Sequence, residues 1–347
     1  MIEETETKPQ ISVVITCFNR RKFLIECVKS ALQQTLPRDK YEILVTKNFE
    51  DRDIDLFLSQ NGISSIIEGD VNIGTMIANA VSHASGQYVC FLDDDDIFYP
   101  DKLSTIFETT IATPTLVYYH NAFDTIDSKS VKMRDYRHRH PENQIILNSG
   151  YDRLAVKRAK ALSGSINMSS ITVRRDLIIE YAQVIRDITG LQDVFLFYLC
   201  ALSRVEMMLD PQVLTGYRIH TSESHGDLAD IENYSTGNRN VLRKYLKSYE
   251  ILMTSGNNTL IDLRYEYLTN KCRYQLMLSH RTGMLNIKEL LFLLLHLEHA
   301  EEIKNQIFLI VFSITHRVMP GRTASFYLRW KMKLDSSKYS EQNEIAT

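Results

Sequence analysis

The run Tyr88-Val89-Cys90-Phe91-Leu92 is continuously apolar and ends in four aspartates, Asp93 to Asp96. An apolar run without alternation predicts a strand buried on both faces. The acids then stand where the strand leaves its sheet, the edge at which open α/β sheets bind ligands. Two carboxylates about 4 Å apart repel by about 4 kcal/mol at an effective dielectric of about 20. They can splay into water, one can protonate, or a divalent cation can neutralise them. Hard oxygen donors suit Mg²⁺ or Mn²⁺. The plainer alternative is a solvated acidic turn before a helix that starts near Pro100.

The chain has 347 residues, enough for a large core and two structural units. Its net charge of -3 argues against bulk nucleic-acid binding. Five scattered cysteines, Cys17, Cys27, Cys90, Cys200 and Cys272, read as free thiols of a reducing compartment. Residues 1–10 form a polar, acidic tail that lacks the basic and apolar regions of a signal peptide. No stretch of about 18 uncharged apolar residues reads as a membrane span. A cytoplasmic location is expected.

Strand and helix patterns alternate with short connections. Strands are predicted at Ile11–Thr16, Tyr41–Thr46, Ile63–Ile67 and Tyr88 onward, with helices over 21–33, 51–60 and 72–84 between them. This argues for a parallel, doubly wound α/β sheet. Further strands are expected at 115–120, 169–173, 205–209 and 214–220, and helices at 176–186 and 194–200. Residues 127–150 are polar and basic and read as a mobile loop or lid. His138 and His140 within it read as solvated side chains rather than metal ligands. Residues 222–230 are turn-rich and form a plausible boundary. Beyond 231 the pattern is helical throughout.

Four motifs occur in order. Ile15-Thr16-Cys17-Phe18-Asn19-Arg20 ends the first strand, and Phe91-Leu92-Asp93-Asp94-Asp95-Asp96 ends the fourth. Gln192-Asp193 begins a buried helix, and Tyr217-Arg218-Ile219-His220 ends a late strand. Their order and spacing resemble glycosyltransferase family 2, the inverting transferases of GT-A fold. The resemblance covers roughly residues 10–224. It implies a GT-A domain over 11–225, with a nucleotide-binding half (11–110) and an acceptor and catalytic half (111–225), followed by a helical region over 231–347. It implies that Asp95 and His220 hold a divalent cation, Mg²⁺ or Mn²⁺, and that Asp93 and Asp94 face the sugar nucleotide. Thr16, Phe18, Asn19, Asn48 and Asn72 lie where the family holds the nucleotide. Asp193 matches the acid that serves as general base. The implied partners are a nucleoside-diphosphate sugar and a saccharide or lipid-linked acceptor, in surface glycan, polysaccharide or glycoconjugate synthesis.

Each residue also has a plainer role. Asp193 stands where a helix N-cap would stand. His220 could be a strand-end histidine, and Phe18 could be core. Arg20 reads as a solvated charge, and Asp96 as a structural residue capping the turn into the Pro100 helix. The sequence departs from the family pattern where Lys47 and Asn48 follow the second strand in place of an acidic pair. Asn48 can still meet a base edge, but Lys47 cannot accept a hydrogen bond. Gln192 precedes Asp193 where the family carries glutamate. The arginine often found in the helix after Asn72 is missing, with Ile77, Ala78 and Asn79 in its zone. Two rival readings are a sugar-phosphate nucleotidyltransferase and a non-catalytic nucleotide-sugar-binding protein. The first would need a Gly-rich loop after the first strand, and residues 17–21 contain no glycine. Near the C-terminus, apolar patches at 290–295 and 307–312 precede Arg317, Arg322, Arg329, Lys331 and Lys333, interleaved with Phe326, Tyr327 and Trp330. A basic, aromatic, amphipathic segment over 286–333 suits an anionic membrane surface, with helical packing or a homodimer contact as alternatives.

Overall fold

The computed structural model describes residues 8–69, 72–134, 138–148, 152–219, 230–255, 261–280, 284–299 and 303–344. The chain divides into two compact units: residues 1–188 with 192–220, and residues 189–191 with 221–347.

The first unit is a mixed sheet between helices. Its strands are β1 (Ile11–Cys17), β2 (Tyr41–Lys47), β3 (Ser64–Ile67), β4 (Tyr88–Asp93), β5 (Ile97–Phe98), β6 (Leu116–Ile126), β7 (Ile145–Leu147), β8 (Ile171–Arg174) and β9 (Glu206–Arg218). The order is β3-β2-β1-β4-β8-β6-β9-β5, with β7 beside β9. Neighbouring pairs among β1 to β4 are parallel, as are β6 and β9, whereas β8, β5 and β7 run against their neighbours. The helices of this unit are α1 (Leu24–Leu32), α2 (Arg52–Gln60), α3 (Ile73–His83), α4 (Lys102–Ala112), α5 (Arg153–Ala161), α6 (Arg175–Glu180), α7 (Ala182–Ile185) and α8 (Gln192–Leu202).

The unalternated apolar pattern of β1 and β4 has the expected result. Ile11, Val13, Val14 and Ile15 are fully buried, as are Val89 and Cys90. Helix α1 buries Leu24, Cys27, Val28 and Ala31, one face of a 3.6-residue repeat, against the β1 side of the core. All five cysteines are free and buried. Gly74 allows α3 to approach the turn after α7: its amide donates to the Ile188 carbonyl at 3.1 Å, and a Cβ there would lie 1.9 Å from the Ile185 carbonyl.

Three local differences from the sequence reading have clear causes. The two late strands expected at 205–209 and 214–220 are one strand, β9. Pro211 lacks an N–H, but it sits where the pairing with β6 skips from Asp210 to Val213, so the ladder loses no donor. The helix expected over 176–186 is broken at Tyr181 into α6 and α7. Residues 127–150, read as an unpacked loop, contain β7, a buried Pro141 and a bridge between Ile126 and Lys132.

The second unit is helical: α9 (Ile231–Ser255), α10 (Ile261–Leu276), α11 (Ile287–Leu295), α12 (Ile303–Val318) and α13 (Pro320–Glu344). Its own core gathers Tyr234, Tyr265, Leu268, Cys272, Leu293 and Tyr327. Helix α11 opens with a capping box, Asn286 accepting from the Glu289 amide while the Glu289 carboxylate accepts from the Asn286 amide. No helix of the described residues is long and apolar enough to cross a membrane.

Candidate active site

The parallel register brings the carboxyl ends of β1, β2 and β4 together. Thr16 pairs with Thr46 on one side and with Asp93 on the other. The four aspartates therefore leave the sheet beside the turn Phe18-Asn19-Arg20. Asn19 adopts a left-handed backbone (φ 57°), which asparagine tolerates better than most residues. Its amide donates to Asn48 Oδ1 at 2.8 Å, and Asn48 Nδ2 donates back to Asn19 Oδ1 at 3.0 Å. Of the residues expected to hold the nucleotide, Asn19 and Asn48 thus clasp each other, Thr16 is nearly buried, and Phe18 is exposed at 40%. Asn72 lies apart from them in the chain as the N-cap of α3, accepting from the Thr75 amide at 2.9 Å. Lys47, which stands where the family's acidic pair would begin, is fully buried. It donates to the Phe49 carbonyl at 2.7 Å and pairs with Asp55 at 2.8 Å.

The four acids have distinct environments. Asp94 is buried; it accepts from Cys17 Sγ at 3.1 Å and from the Arg20 guanidinium. Asp95 also pairs with Arg20, at 2.5 Å. The expectation that Arg20 is a solvated charge is therefore corrected: two carboxylates at one strand end draw the nearest cation onto them. Asp96 is fully enclosed, accepting from Ser169 Oγ at 2.6 Å and from the Arg218 amide at 2.8 Å. It is structural, but it does not cap α4, whose N-cap is Asp101. Burial raises Asp93 to about 8, with Asp95 adding to the shift and Arg20 opposing it. Burial also raises Asp94 to about 6, against the pull of Arg20.

Asp193 opens α8. Burial lifts its carboxyl to about 6, while hydrogen bonds from the backbone amides of Val194 and Asn167 hold it down. Those amides lie 2.8 Å and 3.1 Å away. The second bond comes from another segment, where Asn167 sits at φ 70°. Asp193 is close enough to the strand-end acids to contribute to the raised pKa of Asp93. Tyr217 lies among the same carboxylates: burial raises its phenol, and Asp96, Asp193, Asp95 and Asp93 all add to the shift. Thus Asp93, Asp94, Asp95 and Asp193, about a hundred residues apart in sequence, are gathered at one edge. His220, the other expected metal ligand, lies outside the described residues.

A second layer, unannounced by the sequence, fixes this edge. Lys102 is completely buried. It donates to Asn121 Oδ1 at 2.6 Å, the Ser169 carbonyl at 2.8 Å and Thr215 Oγ1 at 3.0 Å. Burial lowers it to about 8. Ser169 Oγ accepts from the Asp93 amide at 2.9 Å while donating to Asp96, so one hydroxyl clamps both ends of the acidic turn. The buried Arg218 donates to the Asp95 carbonyl at 2.5 Å, to the Asp127 carbonyl at 2.9 Å and to Glu26 at 3.1 Å. Its partners lie up to 192 residues away in the chain, so no local pattern could announce the role.

The edge offers hard carboxylate oxygens, the donor type that suits a divalent cation, but no group of three or more His, Cys, Asp or Glu placed to hold a metal ion occurs among the described residues.

Residues 12–181 match the family model described as Glycosyl transferase family 2. Residues 12–181 form a glycosyltransferase family 2 domain. Among relatives of the chain, a Rickettsia conorii protein named as an uncharacterized glycosyltransferase is 28% identical over 139 residues. That match covers 37% of this chain and 22% of the relative, so the chain spans about a fifth of that protein's length. The poly(ribitol-phosphate) beta-glucosyltransferase of Bacillus spizizenii is 33% identical over 101 residues, 27% of this chain and 16% of that protein. The crystal structure of S. aureus TarS 1-349 in complex with UDP-GlcNAc is similar in fold, with a TM-score of 0.51 at 12% identity over 87% of this chain and 90% of that one. The family 2 domain therefore has the GT-A fold expected for it, followed by a helical region.

Proposed function

We propose that this chain is an inverting glycosyltransferase that moves a sugar from a nucleoside-diphosphate sugar to a hydroxyl acceptor during assembly of a surface glycan. The observation that carries the reading is the gathering of Asp193 with Asp93, Asp94 and Asp95 at the carboxyl ends of β1 and β4. Asp193 is held by two backbone amides and is ionised above about pH 6, as a proton acceptor must be. As the acceptor oxygen bonds to the anomeric carbon, the bond from that carbon to the diphosphate breaks. The acceptor's proton passes to Asp193, and the nucleoside diphosphate leaves with the bonding pair. Attack from the opposite face inverts the anomeric centre, so one base suffices and no covalent nucleophile is needed. A bound Mg²⁺ or Mn²⁺, held by Asp95 with His220 as a further ligand, would supply charge neutralisation to the departing diphosphate, with Asp93 facing the sugar nucleotide. Arg20 supplies fixed positive charge at the same turn. Phe18, Asn19, Asn48 and Asp94 are the residues we assign to the nucleotide, with Thr16 supporting them from the strand end. We assign Asn72 to the start of the adjoining helix.

The test is a donor panel with and without Mn²⁺, run on the parent chain and on Asp193→Asn. Donor binding with sugar transfer lost in the variant supports the reading. Full transfer by Asp193→Asn removes it. Release of pyrophosphate from a nucleoside triphosphate and a sugar phosphate would favour a nucleotidyltransferase instead.

For the helical unit we propose a membrane-surface role. Ile303, Ile307, Val311, Ile314 and Val318 are all exposed along one side of α12, and Arg322, Phe326, Arg329 and Lys333 are exposed at similar spacing on α13. An apolar stripe beside a basic one matches an anionic lipid surface. Co-sedimentation with vesicles rich in phosphatidylglycerol should be lost in Ile307→Glu/Val311→Glu. If the parent chain ignores vesicles but forms a dimer in sedimentation velocity, the stripe is a subunit contact instead.

A further inference from the structure

Between Lys129 and Lys160 the sequence carries nine Lys or Arg and three Asp or Glu, in a chain whose net charge is -3. The described part of this segment surrounds a cavity of about 800 Å³. Residues 139–145 form one wall, and the end of α5, with Arg158, Ala161 and Leu162, forms the other. The polar lining is Arg139, His140, Glu142, Asn143, Gln144 and Arg158, so two permanent cations face one carboxylate. Helix α5, Arg-Leu-Ala-Val-Lys-Arg-Ala-Lys-Ala, adds three further cations and no acid. A volume of this size accommodates one to a few sugar units.

The cavity adjoins the acidic edge through a short chain of contacts. His140 and His138 set their rings edge-on against Phe123, at 4.6 Å and 5.0 Å between centroids. This corrects the reading of both histidines as solvated. Phe123 in turn meets Tyr217 at 5.5 Å, and Tyr217 lies among Asp93, Asp95, Asp96 and Asp193. From the same wall, Arg139 donates its amide to Ser163 Oγ at 3.2 Å, just past the end of α5. That hydroxyl lies four residues before Asn167, whose amide holds Asp193. The cavity is thus linked to the acidic edge through the rings of His140, Phe123 and Tyr217, and its α5 wall leads in sequence to the Asn167 segment that holds Asp193.

We infer that this cavity receives the acceptor, and that the acceptor is an anionic glycopolymer, one with a phosphodiester or carboxylate in its repeat. The inference rests on the glycosyltransferase reading for the word acceptor, but not for the binding site. Arginine presents a planar fork that pairs bidentately with phosphate or carboxylate, and two such forks across a cavity favour a ligand with repeated charges. An anion bound there lies beside the acidic edge without entering it, which keeps its charge off Asp93 and Asp95. The hydroxyl to be glycosylated is the part that reaches Asp193.

The test is direct binding by titration calorimetry, using three probes: a glycerol-phosphate hexamer, a galacturonate hexamer and neutral maltohexaose. One anionic probe should bind at least about tenfold more tightly than the neutral one, and Arg139→Gln and Arg158→Gln should each weaken it by about tenfold. Lys29→Gln, an exposed cation on α1, should leave it unchanged. Preference for phosphate or for carboxylate names the source of the charge. Equal binding of neutral and anionic probes overturns the inference. So does a result in which the two arginine variants raise the KM for the nucleotide sugar instead of that for the acceptor. The two readings fail separately. If an anionic probe binds in the arginine-dependent way while no donor is turned over, the cavity assignment stands and the transferase reading falls. Transfer to neutral acceptors without polymer binding gives the reverse.

Discussion

The family 2 domain keeps its two kinds of charge in opposite physical conditions. The acids at the ends of β4 and at the start of α8 are buried or half-buried and cross-braced by Ser169, Arg218 and backbone amides. The cations of Arg139 and Arg158 stand exposed on a loop and a short helix. Buried charges interact strongly and shift each other's protonation, whereas exposed charges are screened by salt and keep their freedom. The first arrangement suits chemistry, which needs fixed geometry and a tuned base. The second suits capture of a long charged ligand, which needs attraction but little rigidity.

The largest expected effect breaks the chemical side alone. Asp193→Asn should lower kcat by about 10²–10⁴-fold, the usual contribution of a positioned general base. Binding of an anionic polymer should be unaffected, because the substitution leaves the basic cavity intact. Parallel losses in kcat and in polymer affinity would mean that the two regions are one site.

A second test addresses what holds the acidic edge in place. Lys102→Met keeps the aliphatic length but removes donors from Asn121, the Ser169 carbonyl and Thr215. Leaving such buried acceptors short of a partner should cost about 2–3 kcal/mol in urea unfolding. Because burial lowers Lys102 to about 8 in the fold, the unfolded chain binds more protons at this group between about pH 8 and its ordinary value near 10.5. Its contribution therefore grows more favourable as pH rises through that window. The deficit of Lys102→Met relative to the parent chain should widen between pH 8 and pH 10. A variant more stable than the parent would show that the buried ammonium is a net cost.

The same contrast explains what could be read from the chain alone. The apolar run before Asp93 and the regular alternation up to that residue are local patterns, and the strands and helices there lie close to where they were expected. The acids were visible because they are consecutive, and Asp193 because it opens an apolar helix. Arg218 lay within a motif that gave it no role, and Lys102 and Ser169 stood out in no motif of their own. Each is an ordinary polar residue whose importance comes from partners 19 to 192 residues away, a relation that periodicity cannot express. Helix α5 and β7 were hidden for a different reason. The cations of α5 and the short length of β7 match a solvated loop, and only the pairing of β7 with β9 and the packing of α5 on β7 reveal them as ordered structure beside a cavity. Arg20 was misjudged because an arginine in a turn is usually solvated, and the turn's position beside Asp94 and Asp95 follows from the β1–β4 register, which is itself a tertiary fact.

The finest test compares pH and salt in one experiment. Burial places Asp193 at about 6, so kcat should rise with pH through about 6 and level off above it, as the carboxyl loses its proton and becomes able to accept one. Raising ionic strength from 0.1 M to 1 M shortens the screening length from about 10 Å to about 3 Å. A half-buried group feels less of that change than an exposed one, so the pH midpoint should move little. The exposed arginines feel all of it, so the KM for an anionic acceptor should climb severalfold while that for a neutral one does not. A midpoint that moves with salt would place Asp193 in open solvent and undo its assignment as the shielded base. An acceptor KM indifferent to salt would remove the electrostatic role of Arg139 and Arg158 while leaving the acidic edge as the seat of the chemistry.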